Sequence, residues 1–326
     1  MFKNLVNLYD FVDVLRYVRV HGLKRVLRRL RIKRDEAVQA AWGEIEAPPI
    51  HWWDIPAVRK RWNRLVAGDP DIDYREYLTN KYLKGYDEMY GLSLGCGTGS
   101  KELIWARLCK FSMLDAYDIS KPRIDVARET AKACGVRNVR YQVADVNKID
   151  FPEEKYDVVL AEGSMHHFPD LENLFSKIHR TLKPTGYFIL NDFVGPTRFQ
   201  WTDRQLEVIN GVLAILPRKY RMRWPDRSVK SKIHRPGRLR MMLSDPSEAV
   251  ESSKVLPLLR RYFEVVEMKG LGGTILHMLF SDIAMNFLSD DEESRGLLEM
   301  CFLIEDTLIK IGDISDDFVL AVCKRK

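Results

Sequence analysis

The 326-residue sequence contains few cysteines and no long apolar run. Its five cysteines are scattered, and none belongs to a CxxC pair. This pattern argues against a disulfide framework or a zinc site and is typical of a reducing compartment. Apolar runs such as "VLAIL" (212–216) are far shorter than the roughly 18 residues that a membrane-spanning helix needs. The N-terminus also lacks a small-residue cleavage site, so we expect a cytoplasmic protein.

Positive charge is concentrated in two segments. The net charge is +6. Residues 1–40 contain ten Lys/Arg and four Asp/Glu, and residues 218–240 contain ten and one. The rest of the chain is therefore acidic, and an anionic partner is expected at one of these two segments. The alternative is that these cations are solvated or pair with the acidic remainder of the chain.

Residues 1–87 are predicted to form a helical N-terminal extension that acts as a lid. Leu5, Leu8, Val12 and Leu15 recur at helical spacing, and a second apolar stripe follows at 23–30. Two further helices are predicted within residues 55–83. The basic segment 1–34 either packs on the main domain or makes a peripheral contact with an anionic membrane. Both hypotheses stay open at this point.

From residue 88 onward, short apolar strands alternate with helices. Strands are predicted at 89–94, 112–118, 138–143, 156–162 and 186–191. Helices are predicted at 100–109, 121–134 and 171–182, the last ended by "KPTG". This alternation indicates an α/β fold with a parallel, doubly wound sheet, whose ligands bind at the carboxyl ends of the strands.

Three glycines, Gly95, Gly97 and Gly99, lie between the first predicted strand and the first helix, in "GLSLGCGTGS". Glycine adopts left-handed dihedrals without strain and allows a ligand to approach the backbone closely. This turn therefore predicts a nucleotide-like ligand. The glycine pattern by itself does not distinguish a dinucleotide from other adenosine-containing molecules.

Two acidic residues favour an adenosine moiety. Asp118 ends the second strand, 19 residues after Gly99, where its carboxylate can accept hydrogen bonds from both ribose hydroxyls. Asp145 ends the third strand, where it can accept from the adenine amine. A dinucleotide-binding turn would favour glycine or alanine at position 100, which is Ser100 here.

An NAD(P)-dependent oxidoreductase is a second interpretation. Tyr117 and Lys121 have the spacing of the short-chain dehydrogenase pair. They follow the second strand, however, where they could not reach a nicotinamide, so we interpret the spacing as a coincidence.

The ordered set of motifs resembles the class I S-adenosylmethionine-dependent methyltransferases of the small-molecule type. "LSLGCGTG" resembles their glycine loop and "YDIS" the ribose acid. "VADVNKIDFPEEKYDVVLAEGSMHHF" resembles the adenine acid with the strand that follows, and "LKPTGYFIL" resembles the fifth strand. Ser93 stands where many members carry an aspartate.

The resemblance implies a Rossmann-like, seven-stranded sheet within residues 88–326, with the last strand antiparallel. Residues 262–270 and 316–325 fit the sixth and seventh strands. Two insertions, at about 193–243 and 271–312, would form a cap and the acceptor pocket together with the N-terminal helices. Within and after these insertions, residues 245–259, 275–288 and 292–312 are predicted to be helical.

S-adenosylmethionine is the cofactor that the resemblance implies, with no metal required. Its expected binding residues lie in the glycine loop and at the strand ends: Gly95, Cys96, Gly97, Gly99, Asp118, Ile119, Asp145, Val146 and Glu162. His166 and His167 follow the fourth strand, and either imidazole has a suitable pKa for a general base. The alternative is that this histidine pair is a structural turn bound to backbone or cofactor.

The predicted function is biosynthetic methyl transfer to a small molecule, most simply to an oxygen of a natural product, a glycan or a lipid-linked intermediate. An N- or C-methyltransferase is an alternative. An RNA-binding protein with a methyltransferase-like fold is another, because aromatic residues near Trp201, Tyr220 and Trp224 could stack on bases. Apolar faces on the appended helices also allow a homodimer.

Overall fold

The computed structural model describes residues 4–21, 51–224 and 226–326. Helix α1 spans Leu8–His21, and the second helix predicted at 23–30 lies outside the described residues. Helix α2 spans Pro56–Ala67, and α3 spans Tyr74–Leu78 before a π-helical turn at Thr79–Leu83. Helix α3 begins after Asp73, whose side chain accepts a hydrogen bond from the backbone of Arg75 at 2.9 Å.

Seven strands form one mixed sheet: β1 Met89–Leu94, β2 Phe111–Asp118, β3 Val139–Val143, β4 Tyr156–Glu162, β5 Leu182–Phe193, β6 Phe263–Gly272 and β7 Phe318–Arg325. Their order is β3-β2-β1-β4-β5-β7-β6. Strands β1 to β5 pair in parallel, whereas β7 runs antiparallel to both β5 and β6. The predicted fold class is confirmed.

Helices follow most strands and cover the sheet: α4 Ser100–Leu108, α5 Lys121–Ala133, α6 Leu171–Thr181, α7 Asp203–Ile215, α8 Arg238–Ser244, α9 Val255–Tyr262, α10 Leu276–Phe280 and α11 Glu292–Lys310. Every residue of the central strand β4 is buried, as expected for a parallel strand covered on both faces. The strand order reverses between β1 and β4, so the ligand-binding crevice is expected at their carboxyl ends.

Residues 51–83, which precede β1, pack into the main core. Trp52, Ile55 and Leu78 are buried in the same cluster as residues of β1, β4 and β7. Arg61 of α2 is also buried, and its guanidinium donates to the carbonyl of Leu271 at 3.1 Å. These contacts hold α2 and α3 against the sheet.

Several predicted elements have different bounds in the structure, and the helices differ most. The "KPTG" residues do not end a helix, because α6 ends at Thr181 and these residues belong to β5. Residues 245–251 are turns rather than helix, because the Asp245 carboxylate accepts from the backbone and hydroxyl of Ser247. Ala249 also has a positive φ of 47° there, so the helix begins only at Val255.

The single helix predicted at 275–288 is broken in two. Helix α10 ends at Phe280, and a 3₁₀ turn follows at Ala284–Phe287. Asp282 between them has a positive φ of 66°, which interrupts a helix. The ammonium group of Lys230 donates to the carbonyls of Met278 and Leu279 at 2.7 and 3.1 Å, and thus satisfies groups left open at the end of α10.

The described part of the basic N-terminal segment contacts α8. The Asp10 carboxylate accepts a 2.8 Å hydrogen bond from the backbone of Gly237 and pairs with Arg240 at 3.2 Å. Phe11 and Leu15 on the same helix are exposed. Within the described ranges, no helix combines the length and the apolar character needed to cross a bilayer.

Candidate active site

A cavity of about 260 Å³ opens at the carboxyl ends of β1 to β4. Most of the predicted site residues line it: Gly95, Cys96, Gly97, Asp118, Ile119, Asp145, Val146 and His167. Gly99, Glu162 and His166 do not belong to its lining. The strand ends therefore bring together the glycine loop, both predicted acids and one of the two histidines.

Two glycines of the loop serve different purposes. Gly97 lines the cavity with a φ of 56°, and an added Cβ would meet only Arg123 of α5, at 3.5 Å. Gly99 has a φ of 79°, but an added Cβ would overlap the Tyr141 hydroxyl at 2.7 Å and Ala127 at 2.8 Å. Gly97 thus keeps the cavity wall open, whereas Gly99 allows the loop to pack on β3 and α5.

The Asp118 carboxylate is fixed by backbone donors. One oxygen accepts from the N–H of Gly97 at 2.9 Å, and the other accepts from the N–H of Ser120 at 2.8 Å. Each carboxylate oxygen can accept a further hydrogen bond, so the group remains able to bind two ribose hydroxyls. Asp145 is held in a similar way by the N–H of Asn147 at 3.0 Å.

Glu162 is engaged in the protein interior. Its carboxylate accepts from the Tyr74 hydroxyl at 2.7 Å, from Arg75 at 2.6 Å and from the indole N–H of Trp105. Burial raises the pKa of this carboxyl, but the positive charges of Arg75 and Lys101 and the hydrogen bonds outweigh burial and lower it to about 2. Glu162 thus anchors α3 to the end of β4 and is absent from the cavity lining.

His166 is paired with two carboxylates. Its Nδ1 atom hydrogen-bonds to Asp192 at the end of β5, and its Nε2 atom lies 3.7 Å from Glu248. Burial lowers the pKa of His166. The charge and hydrogen bond of Asp192 and the charge of Glu248 together raise it by more than burial lowers it, so the net shift is upward. The pKa of Glu248 is raised to about 7, mainly by burial.

Asp192 also holds the turn that carries the histidines. Its second carboxylate oxygen accepts from the backbone N–H groups of Ser164 and Met165, at 2.8 and 2.7 Å. A buried carboxylate with three donors orients the neighbouring imidazole firmly. Burial and the neighbouring His166 lower the pKa of His167 well below its usual value, so His167 is a neutral imidazole at the cavity wall.

Several residues at the site were not predicted from the sequence. Lys101, Arg123 and Phe168 line the cavity, and Glu248 reaches His166 from a loop about 80 residues away. In the sequence, Lys101 closely follows the glycine loop and Arg123 closely follows the ribose acid Asp118. Their positions could therefore have identified them as site residues. Glu248 carried none, because it lies in a segment that was interpreted as helix.

His166, His167 and Glu248 also form a cluster that could coordinate a metal ion. One ligand atom from each lies within 4.8 Å of the others. No metal was predicted from the sequence, and this cluster makes that prediction testable.

Ser93, which departs from the aspartate common in the resembled family, is buried at the end of β1. Its hydroxyl donates a 2.6 Å hydrogen bond to Glu102 of α4. Burial raises the pKa of Glu102 to about 7. The hydroxyl therefore links the strand to the first helix and leaves the loop in place.

Three features together define a class I methyltransferase fold. They are the sheet order, the antiparallel β7 between β5 and β6, and the glycine loop with its two strand-end acids. A dinucleotide-binding Rossmann sheet has its sixth strand next to the fifth instead. Residues 92–190 match the family model described as "Methyltransferase domain". The chain thus carries a class I methyltransferase domain, which confirms the resemblance seen in its motifs.

Curated relatives match this domain and its surroundings. The chain is 30% identical over 105 residues to the uncharacterized methyltransferase YcgJ of Bacillus subtilis, covering 32% of this chain and 41% of that protein. It is 30% identical over 130 residues to the 27-O-demethylrifamycin SV methyltransferase of Amycolatopsis mediterranei, covering 38% of this chain and 47% of that protein. The chain therefore spans less than half the length of these relatives.

Among solved structures, geranyl diphosphate C-methyltransferase from Streptomyces coelicolor A3(2) shares the fold. Its TM-score is 0.52 at 16% identity, with 91% of this chain and 99% of that chain covered. At this identity the likeness concerns the fold.

Proposed function

We propose that the protein transfers the methyl group of S-adenosylmethionine to an oxygen atom of a small-molecule acceptor. One observation carries this proposal: His167 lines the glycine-loop cavity and is in ring contact with His166, which is hydrogen-bonded to Asp192. The relative that acts on 27-O-demethylrifamycin SV agrees with an oxygen acceptor.

The lining of the cavity fits the cofactor. Asp118 would bind the ribose hydroxyls, and Asp145 would accept from the adenine amine. Ile119 and Val146 would pack on the adenine ring, and Gly97 leaves room for the ligand at the backbone. When bound, S-adenosylmethionine supplies an electrophilic methyl group on a positively charged sulfur.

The residues of the chain must orient the acceptor, exclude water and remove a proton. We assign proton removal to Nε2 of His166, because Asp192 holds the proton on Nδ1 and leaves Nε2 as the basic atom. A hydroxyl acceptor needs such a base, whereas a neutral amine already carries a nucleophilic lone pair. This need favours oxygen over nitrogen as the methylated atom.

The N-terminal residues 1–87 and the insertions at about 193–243 and 271–312 are proposed to form the acceptor side of the site. Trp52 and His277, from the first and last of these segments, are in ring contact at 6.1 Å. An RNA-binding role is less well supported, because two of its three candidate stacking residues, Trp201 and Tyr220, are buried, and only Trp224 is exposed. Peripheral membrane contact through residues 1–34, a homodimer and a cytoplasmic location stay predictions.

The test is calorimetric titration of the full chain with S-adenosylmethionine, S-adenosylhomocysteine and NADH. We expect both adenosyl ligands to bind, Asp118→Ala to abolish their binding, and NADH not to bind. Asp125→Ala is the matched control, because that carboxylate pairs with Lys121 on the exposed face of α5. Binding of NADH alone would overturn the proposal.

A further inference from the structure

One turn between α8 and α9 belongs to the cofactor cavity and also contacts the proposed base. Two of its residues, Pro246 and Ser247, line the cavity, whereas every other lining residue precedes α6. The next residue, Glu248, places a carboxylate oxygen 3.7 Å from Nε2 of His166. We call residues 245–250 the cavity turn. Its position therefore affects both the wall of the cavity and the surroundings of the base.

Arg198, in the 3₁₀ turn Thr197–Phe199 after β5, binds the main chain of the cavity turn. Its guanidinium donates to the carbonyl of Pro246 at 2.7 Å and to that of Glu248 at 3.0 Å. Its backbone N–H donates to the carbonyl of Ala249 at 2.7 Å. A guanidinium presents its N–H groups in a rigid planar fork, so these bonds hold the cavity turn in one orientation.

The backbone on both sides of this contact is strained. Arg198 and Phe199 have positive φ angles of 56° and 51°, and Ala249 of the cavity turn has a φ of 47°. Left-handed dihedrals are unfavourable for residues with a side chain, and such strain persists where surrounding contacts impose it, often at functional sites. The ring of Phe199 stacks on Trp201 at 4.8 Å, which is one such contact.

Further hydrogen bonds join the chain after β5 to the residues that follow the cavity turn. The hydroxyl of Ser252 donates to the carbonyl of Gly195 at 2.9 Å, and the hydroxyls of Thr197 and Ser253 lie 2.7 Å apart. At the end of the cavity turn, the N–H of Val250 donates to the carbonyl of His166 at 3.0 Å. The cavity turn is therefore attached both to the insertion after β5 and to the residues that carry the proposed base.

We propose that Arg198 is a positioning residue that controls exchange of the cofactor. It keeps Pro246 and Ser247 in the cavity wall and, through the same turn, Glu248 beside His166. Loss of its hydrogen bonds lets the cavity turn open locally, so a bound cofactor loses wall contacts and dissociates faster. This inference rests on the proposed function, because the ligand exchanged is S-adenosylmethionine or its demethylated product.

The experiment measures the dissociation rate of radiolabelled S-adenosylhomocysteine from the full chain after a chase with excess unlabelled ligand. We expect Arg198→Gln to increase this rate by about tenfold, because glutamine cannot reach the carbonyls of Pro246 and Glu248 together. Arg198→Lys keeps the charge without the fork, so the rate should stay about threefold above the wild type. Arg325→Gln is the matched control and should leave the rate unchanged. Arg325 also donates to a main-chain carbonyl, that of Leu182 at 3.3 Å, but at the opposite edge of the sheet from the cavity.

Amide hydrogen exchange separates a local effect from a general loss of stability. In Arg198→Gln we expect faster exchange at the hydrogen-bonded N–H groups of Ser247 and Val250, with unchanged protection in β4. If Arg198→Gln does not fold, the same two measurements on Arg198→Lys decide.

Failure of the wild-type chain to bind S-adenosylhomocysteine would count against the proposed function itself. Three outcomes with normal wild-type binding would overturn this inference alone. They are a wild-type dissociation rate in Arg198→Gln, a wild-type rate in Arg198→Lys, and faster exchange that extends equally to β4.

Discussion

The carboxylate of Glu162, at the end of β4, accepts a 2.7 Å hydrogen bond from the hydroxyl of Tyr74, in the segment that precedes the sheet. Arg75 donates to the same oxygen at 2.6 Å and is itself only 12% exposed. One buried carboxylate thus joins α3 to the end of β4. An anchor of this kind fixes α3 against the sheet.

Glu162→Gln should strongly destabilise the fold. Every neighbour of the carboxylate is a donor, so the amide NH₂ would face donors and Arg75 would keep an unpaired buried charge. Removing one partner of a buried ion pair costs about 3–5 kcal/mol. Chemical unfolding at neutral pH measures this loss. Glu172→Gln is the control, because Glu172 pairs with Arg261 at the surface and should matter by about 1 kcal/mol or less.

The same variant should change how stability depends on pH. The folded pKa of Glu162 is about 2, below its ordinary value of 4.5. Its contribution is therefore complete above the ordinary value and is lost as the pH falls towards 2. The free energy of unfolding, measured from neutral to acidic pH, should therefore decrease less steeply with falling pH in Glu162→Gln than in the wild type. Identical slopes would show that the carboxylate is not ionised in the fold.

Substitutions at Gly97 and Gly99 should separate binding from stability. Gly97→Ala adds a methyl group to the cavity wall without steric overlap, so it should cost about 1–2 kcal/mol from its positive φ. Gly99→Ala should cost more, about 2–4 kcal/mol, because the new Cβ overlaps Tyr141 and Ala127.

Relative to its loss of stability, Gly97→Ala should lose more affinity for S-adenosylhomocysteine than Gly99→Ala does. We expect Gly97→Ala to weaken S-adenosylhomocysteine by about tenfold or more while the chain stays folded. Thermal unfolding and calorimetry on the same samples provide both values. Equal thermal losses in the two variants would contradict the distinct purposes assigned to the two glycines.

The sequence predicted best those features that depend on local order along the chain. Strand–turn–helix periodicity located β1, the glycine loop and α4, because each is determined by neighbouring residues. Asp118 and Asp145 could be assigned because parallel strands bring their carboxyl ends to one edge. Both acids line the cavity as expected.

Contacts between distant segments were beyond this kind of prediction. Glu162 was predicted to bind the cofactor, which stays a prediction; its partners Tyr74 and Trp105, which lie in separate helices, could not be read from the sequence. Glu248 lies in turns that Asp245 and Arg198 stabilise through hydrogen bonds, which apolar periodicity does not report. The ring contacts of His277 with Trp52, Phe193 and Phe318 likewise have no local signature, because these residues come from different parts of the chain.

Removal of divalent metals should leave the protein unchanged. The imidazole of His166 is already balanced by Asp192 and Glu248, so the cluster with His167 is stable without an ion. We expect elemental analysis to find no stoichiometric metal, and added Zn²⁺ to leave the unfolding temperature unaltered. A stoichiometric metal whose retention is lost in Glu248→Gln would instead assign the cluster as a metal site.

Proton transfer through His166 predicts a specific pH dependence. Asp192 and Glu248 raise the pKa of His166 above 6.5, against the opposing effects of burial and of the Lys101 charge. A base must be neutral to accept a proton, so methyl transfer should increase as the pH rises through this raised value and then level off. NMR titration of the His166 ring in the S-adenosylhomocysteine complex measures the same pKa without an acceptor, and His166→Gln identifies the signal.

Asp192→Asn provides the decisive comparison. The asparagine oxygen must still face the backbone N–H groups of Ser164 and Met165, so its NH₂ would face Nδ1 of His166. The ring then carries its proton on Nε2, which can no longer act as a base. We expect the His166 pKa to fall and the rate of methyl transfer to drop by about 10²–10⁴, with S-adenosylhomocysteine affinity retained. Asp150→Asn, which alters a carboxylate that is 79% exposed, should change neither quantity. An unchanged rate in Asp192→Asn would mean that the acceptor loses its proton without His166.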